Sequence, residues 1–337
     1  MNNLCVLISD IHFNINTLNL AYEVTKQAVY KANELKIPLI IAGDLHDTKA
    51  NIRAECIDKM IEIFSECNEV IYFIRGNHDS INEKSKEHAL SFLRNYGIVV
   101  KDNAKINIKN KSLYLLPYEH DTERLKNFLK TIPKGSTLIM HQGVKSADAG
   151  DYIQDKSAIE IDFLKDFRCI SGHYHNRQTI EKSFSYLGNP YTLTFGEAND
   201  NKKGFSILKE DGSLEFVPTN LREHYIFKCE FYDNDTYEIT GKKPLINVTN
   251  KDLVRCLFKA KKSILQTLTK EKMYDILGLS PQTFLKPEFE QIPELDSEIK
   301  LDISKTNDEL LDLVIDDLKT NNNDVLKKLW RTIHADN

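Results

Sequence analysis

Within the first 80 residues, short continuous apolar runs alternate with longer stretches of helical periodicity, and each run ends in the same kind of residue. LCVLISD at 4–10 precedes a helical pattern near 17–35, PLIIAGD at 38–44 precedes a second near 51–66, and VIYFIRGNHD closes the series at 70–79. This order predicts β-α-β-α-β. Runs without polar alternation suit strands buried on both faces, and helical crossovers of this length make their strands parallel. Ligands in such sheets gather beyond the strands' carboxyl ends. Here those ends carry Asp10 and His12, then Asp44, then Asn77, His78 and Asp79. The pattern recurs downstream, where His141 follows the apolar run Thr137 to Met140 and His173 and His175 follow Cys169-Ile170-Ser171-Gly172. A helix is predicted near 84–96, and strands at 98–100, 105–108, 112–116, 136–141, 167–171, 185–187, 204–208 and 214–217.

Carboxylates and imidazoles gathered in one place suit a borderline divalent metal such as manganese, iron or zinc better than calcium, which prefers oxygen-only shells. So many polar groups exceed what one tetrahedral ion takes. Two ions about 3.5–4 Å apart fit better, because one activates a water while both hold phosphoryl oxygens through an in-line displacement. One carboxylate would then bridge them. Gly43, Gly76 and Gly172 have a steric reading, since sharply turning strand ends leave little room for a Cβ. Taken singly, Asp10, Asp44 or Asn77 is equally well explained as a turn or helix-cap residue. It is their recurrence at one sheet edge that points to a site.

In combined form, D-x-H at 10–12, G-D at 43–44, G-N-H-D at 76–79, H at 141 and G-H-x-H at 172–175, the sequence resembles the calcineurin-like metallophosphoesterase superfamily. The stretch Leu187-Gly188-Asn189-Pro190-Tyr191-Thr192-Leu193-Thr194-Phe195-Gly196-Glu197, followed by Lys203-Gly204-Phe205, narrows the likeness. It looks like the SbcD-type nuclease subunit of double-strand-break repair complexes, short phage forms included, over residues 4–220. The resemblance implies an α/β fold, a four-layer α/β/β/α sandwich with a small α/β capping domain and C-terminal helices. It also implies two divalent ions, manganese with magnesium as the alternative. One would lie between Asp10, His12, Asp44 and His175, the other between Asp44, Asn77, His141 and His173, with Asp44 as the bridge. His78 would donate a proton or hydrogen bond to the scissile phosphate or leaving oxygen, oriented by Asp79. The implied activity is 3′ to 5′ exonuclease on duplex ends with endonuclease on single strands, in DNA end processing, repair and recombination. The family further implies a homodimer, and helices after the capping domain that bind the coiled-coil root of an SMC-like ATPase, SbcC. His46 departs from the family pattern; contact with DNA or metal and simple cover of the site's rim are the alternatives.

Of the 337 residues 41% are hydrophobic, enough to bury a core in two domains, which excludes a disordered chain or a disulfide-stapled miniprotein. The formal charge of -5 gives no global positive field, so any DNA surface must be local. Residues 1–220 are read as the nuclease domain and 221–286 as the capping domain, with a strand at 225–232 and a helix-like stretch at 250–270. The segment 251–272 is the candidate DNA surface, holding Lys251, Arg255, Lys259, Lys261, Lys262, Lys270 and Lys272 against Asp252 and Glu271. Arg177, Lys182, Lys202 and Lys203 flank the site motifs and are weaker phosphate-binding candidates. His88, His120, His224 and His334 lack motif context and are read as ordinary surface or packed residues. Six scattered cysteines without a C-x-x-C pair are read as reduced thiols, and the N-terminus lacks the layout of a signal peptide. A cytoplasmic protein outside the membrane is expected. Two rivals to the nuclease reading are a stand-alone metallophosphatase or small-nucleotide phosphodiesterase, and a metal-free scaffold of the same fold.

Residues 287–305 read as an acidic linker and 306–337 as a helical partner-binding segment. There Leu310, Leu313, Val314 and Leu318 form one apolar stripe, and Leu326, Leu329 and Trp330 form another. Deleting 306–337 is expected to leave metal-dependent nuclease activity intact while abolishing co-purification with the ATPase. Insolubility of the truncated chain would instead assign those helices to its own core.

Overall fold

The computed structural model describes residues 2–49, 51–82, 84–149, 155–198, 200, 203–292 and 326–327. The chain divides into two compact units, Met1–Tyr225 and Ile226–Asn337. In the first, β1 (Asn3–Ile8), α1 (Leu18–Leu35), β2 (Leu39–Ala42), α2 (Ala54–Ser65) and β3 (Ile71–Ile74) follow in the predicted order, and β4 (Ile98–Val100) joins them. These strands pair in parallel, with Val6 opposite Leu39, Leu39 opposite Ile71 and Tyr72 opposite Ile98. A second sheet comprises β5 (Ala104–Ile108), β6 (Lys111–Leu116), then after α3 (Thr122–Leu129) β7 (Thr137–His141), β8 (Arg168–Gly172), β9 (Gln178–Ile180) and β10 (Phe184–Tyr186). The chain then returns to the first sheet through β11 (Gly204–Lys209) and β12 (Leu214–Pro218). Strand orders are β12-β11-β1-β2-β3-β4 and β5-β6-β7-β8-β10-β9.

Side-chain alternation along each strand creates the layers. Val6 and Ile8 of β1 belong to a core with Val24 and Ala28 of α1 and Met60 and Ile63 of α2. Cys5 and Leu7, on the other face, pack with Leu113, Leu115, Ile139 and Ile170 of the second sheet. Beyond that sheet, Leu138, Met140 and Cys169 pack with Leu125 and Leu129 of α3. The result is a four-layer α/β/β/α sandwich, and it explains the unbroken apolar runs, since both faces of each central strand are covered. α1 turns Ala21, Val24, Ala28, Val29 and Ala32 inward, at a spacing that makes one buried stripe of small side chains. α3 begins where the Asp121 carboxylate accepts from the Glu123 and Arg124 N–H groups at 3.0 and 3.1 Å.

Several expectations need correction. The helix predicted near 84–96 is confined to a 3₁₀ helix at Ala89–Asn95, begun by the His88 imidazole accepting from the Leu90 N–H at 3.2 Å. The boundary between units falls after Tyr225 rather than after residue 220. In the second unit, β13 (His224–Phe231), β14 (Tyr237–Gly241), β15 (Leu253–Ala260), α4 (Lys262–Leu265), α5 (Lys270–Leu277) and β16 (Phe284–Gln291) form a sheet of order β14-β13-β15-β16 with two short helices. The helical reading of 250–270 therefore fails over β15. Leu, Arg and Lys favour helix, but burial of Val254, Cys256, Phe258 and Ala260 at every second position makes this segment a strand. The stretch from Pro287, read as the start of a linker, continues β16, paired in parallel with β15 from Leu253–Phe284 to Ala260–Gln291. Pro287 is tolerated because β16 is an edge strand. The rest of the linker and the helices at 306–337 lie outside the described residues apart from 326–327.

All six cysteines are free, and no helix among the described residues is long and apolar enough to cross a membrane. Truncating Leu7, fully buried between the sheets, is expected to cost about 2–5 kcal/mol in urea unfolding. Ile246→Ala, at a site 92% exposed, should change stability by less than about 0.5 kcal/mol.

Candidate metal centre

Five strands of the two sheets end at one place, and the chain kinks as it leaves them. Asp10, His12, Asp44 and His173 all adopt positive φ, at 53°, 51°, 51° and 92°. L residues rarely take this conformation, so the kinks are strained and must be held from outside. Backbone bonds between neighbouring strand ends hold them: Asp10 N–H to the Gly43 carbonyl at 3.0 Å, His12 N–H to that of Asp44 at 3.1 Å, and Phe13 N–H to that of Leu45 at 2.8 Å. The three expected glycine positions at this edge are sterically obligatory; at Gly172 a Cβ would lie 2.5 Å from the Ala42 carbonyl oxygen. A Cβ on Gly43 would lie 2.1 Å from His141 Nδ1, and one on Gly76 2.1 Å from Asp44 Oδ1.

The residues singled out in the sequence converge here. Ligand atoms of Asp10, His12 and His175 lie within 4.8 Å of one another, as do those of Asp44, His141 and His173, and those of His12, Asp44 and His78. Asn77 Oδ1 sits 3.0 Å from His141 Nε2 and 2.9 Å from His173 Nδ1, completing the second group. Asp44 Oδ2 lies 3.2 Å from His141 Nε2 and 4.0 Å from His12 Nε2, between the two groups. The Asp10 carboxylate accepts the His173 N–H at 3.0 and 3.1 Å, which ties the β1 end to the β8 end.

The donor set fits divalent cations. His141 donates Nδ1–H to the Ala42 carbonyl at 2.8 Å, which leaves the Nε2 lone pair facing the cleft. His175 likewise turns Nδ1 to the Glu197 carboxylate at 2.8 Å, while its Nε2 faces His12 Nε2 at 3.1 Å. Two imidazole nitrogens this close either share a proton or face a common cation. Burial works against the Asp44 charge, yet His141, His78 and His12 hold its pKa well below the ordinary carboxylate value. Burial alone would lower the His141 pKa, but Asp44 overrides it and raises it to about 9. Protons on such a cluster exchange for metal ions, because ligating imidazoles must be neutral.

Four residues acquire roles that sequence reading missed or misassigned. Asp79 makes no hydrogen bond to His78 among the described contacts. Its carboxylate instead accepts N–H groups from Asp44 at 3.0 Å, His46 at 3.0 Å and Gly76 at 2.8 Å, clamping the β2 and β3 ends together. Burial and the nearby Asp44 charge raise its pKa to about 6. His78 is positioned by Asp47, whose carbonyl accepts its Nδ1–H at 2.6 Å. Glu197, quoted in the motif without a role, holds His175 and accepts from Asn189 Nδ2 and the Leu193 N–H, each at 2.9 Å. Asp155 Oδ2 lies 3.2 Å from His173 Nε2. No spacing rule linked Glu197 or Asp155 to a histidine, so only the folded chain reveals them.

Other candidates leave the site. Lys203 is buried against Glu197 at 3.3 Å and Asp200 at 2.9 Å, and Arg177 bonds the Leu187 carbonyl and Ser206 Oγ beneath the Phe216 ring. Both are structural, and Lys202 lies outside the described residues. His46 is 1% exposed, belongs to none of the three ligand groups, and has no hydrogen-bond partner on either ring nitrogen among the described residues. Burial pushes its pKa down to about 4, consistent with a neutral packed ring near Phe92.

A profile of the calcineurin-like phosphoesterase family matches residues 5–190, a span that contains every motif of this centre. The chain belongs to that family, whose members are metal-dependent phosphoesterases. It is 25% identical to phosphoesterase 244L of Invertebrate iridescent virus 6 over 60% of its own length and 75% of the viral protein. It is also 25% identical to exonuclease subunit 1 of Enterobacteria phage T4, over 62% of this chain and 64% of the phage protein. A third relative, 25% identical over 66% of this chain and 70% of its own length, is the DNA double-strand break repair protein Mre11 of Methanocaldococcus jannaschii.

Glu197→Gln keeps the shape beside His175 but removes the charge, and is expected to weaken divalent-metal affinity about 10–100-fold in equilibrium dialysis. An unchanged affinity in a folded variant would make Glu197 a purely structural residue.

Proposed function

We propose that this chain is a two-metal DNA phosphodiesterase, the nuclease subunit that works with an SMC-like ATPase in DNA end processing, repair and recombination. It degrades duplex ends 3′ to 5′ and cuts single strands internally. The observation that carries this reading is the convergence of Asp10, His12, Asp44, Asn77, His141, His173 and His175 at one sheet edge, five of them (His12, Asp44, Asn77, His173 and His175) lining a cleft of about 840 Å³. That space extends past the ligands to Ile15, Ile52 and Leu193, so it has room for a substrate larger than a phosphate group. The archaeal relative's name supports DNA as the substrate, and the phage relative's name supports exonuclease action.

Asp10, His12, Asp44 and His175 would hold one cation, and Asp44, Asn77, His141 and His173 the other. When bound, two divalent ions, manganese in this reading, supply an activated water and neutralise the phosphoryl oxygens. The protein's part is positioning and proton transfer. With Nδ1–H committed to the Asp47 carbonyl, His78 presents Nε2, which in the imidazolium form passes its proton to the leaving oxygen. Its own N–H donates to Asp44 Oδ1 at 2.8 Å, fixing the loop against the bridging carboxylate. Residues 306–337 would bind the coiled coil of the ATPase, and two copies of the chain would pair.

A second reading, a stand-alone phosphatase or small-nucleotide phosphodiesterase, is favoured by the name of the iridescent-virus relative. End-labelled duplex DNA with manganese or magnesium, with and without the ATPase, separates the two. Degradation is expected, and its absence alongside hydrolysis of a small chromogenic diester would favour the second reading. Asp44→Ala should abolish cleavage of every substrate. His78→Ala should keep its metal and lose about 10²–10⁴-fold in turnover; an empty site in that variant would make His78 a ligand.

A further inference from the structure

Tyr118, whose ring lies 5.7 Å from that of His173, lines both the main cleft and a second depression of about 210 Å³. Four cations border the second space, Arg75, Lys86, Lys101 and Arg124, with only Asp102 and Glu119 opposing them. Those acids are already matched, Asp102 by Lys86 and Glu119 by Arg124 at 3.5 Å. Arg75 and Lys101 make no direct ion pair among the described residues, although Asp79, Glu119 and Asp102 lie close enough to act on the Arg75 charge. Arg75 is unusual among these cations because it is only 4% exposed. Its Nη1 donates to Ser80 Oγ and its Nη2 to the Tyr118 carbonyl, each at 2.6 Å, while Nε has no partner. A guanidinium whose direct partners are two neutral acceptors is costly to bury, and the charges of Asp79, Glu119 and Asp102 offset only part of that cost.

We infer that this depression binds a backbone phosphate of the polynucleotide, one that flanks the phosphodiester being cut. Arg75 provides a fixed positive charge at the wall and Lys101 a flexible point charge at the rim, a pairing suited to a phosphate contact that sets register without reading sequence. The inference rests on the nuclease reading, since a substrate must carry a second phosphate to use the depression. It explains how a centre built to hydrolyse any phosphodiester would favour a strand over a small diester.

The test compares Lys101→Glu, at an exposed position, and Arg75→Gln with the unsubstituted chain, on a short single-stranded oligonucleotide and on bis(p-nitrophenyl) phosphate. For Lys101→Glu the oligonucleotide KM should rise about 10-fold, as for one lost charge-assisted contact. Its dependence on log salt should flatten by about 1, with kcat and hydrolysis of the small diester unchanged. Arg75→Gln, if it folds, should behave in the same way. An unchanged oligonucleotide KM for Lys101→Glu overturns the inference. It does so also if inorganic phosphate proves to bind there, which would make the depression a free-anion site. If the unsubstituted chain hydrolyses the small diester but no oligonucleotide, the nuclease reading itself has failed and this inference falls with it.

Discussion

The Asp44 carboxylate, 2% exposed between His12, His78 and His141, is the interaction on which the rest of the centre depends. A buried carboxylate is tolerated only where charge and hydrogen bonds surround it. Asp44 gathers these from both sheets: His12 from beyond β1, the His78 N–H from beyond β3, and His141 from the end of β7. Its own N–H is taken by Asp79 and its carbonyl by His12. One residue thus links three loops of the first sheet to a strand of the second, at the place where metal ligands are needed.

That linkage works because the sheets beneath it do not yield. The core between them, with Leu7, Ile40, Ile139 and Ile170 fully buried, sets the spacing of the strand ends. The loops take up what geometry remains, at the cost of four non-glycine residues in left-handed conformations. A second layer of carboxylates then fixes the imidazoles, Glu197 on His175 and Asp155 on His173, while Asp79 joins the β2 and β3 ends. The same logic governs the glycines: at Gly43 and Gly76 any side chain would occupy space already taken by His141 and Asp44.

How much of this was legible in the sequence follows from the range of the interactions. Strands β1, β2 and β3 and the residues beyond them were readable because burial on both faces leaves an unbroken apolar run, and the run ends where the polar residues begin. The glycine contacts were readable for a related reason, since crowding at a strand end is a local property. Asp79 was misassigned because adjacency to His78 in sequence suggested contact, whereas its carboxylate turns back into the loop to satisfy three N–H groups. Glu197 and Asp155 act across 22 and 18 residues on histidines to which no local pattern connects them. In β15 the error was one of period: Leu, Arg and Lys read as helix formers, and only the partner strands reveal that every second side chain is covered.

The same correction changes what the basic stretch of the second unit can do. On a helix, Lys251, Arg255, Lys259 and Lys262 would share one face. In the strand that forms instead, Arg255 and Lys259 lie on the less buried face of the sheet, in register with Lys286 and Glu290 of β16. Lys259 is held by Glu290 at 3.0 Å and Glu230 at 3.8 Å, so its charge is already matched. Lys228 on β13 is likewise paired with Glu230. This sheet face is therefore balanced in sign, and an excess counted along the sequence does not survive as a field in space. Among the described residues of this unit outside the strands, Lys242, Lys251, Lys261, Lys262, Lys270 and Lys272 are exposed cations open to a polyanion. A contact made through loops and helix starts rather than a sheet face would follow the phosphates of a strand without demanding a fixed groove shape, as the proposed nuclease role requires.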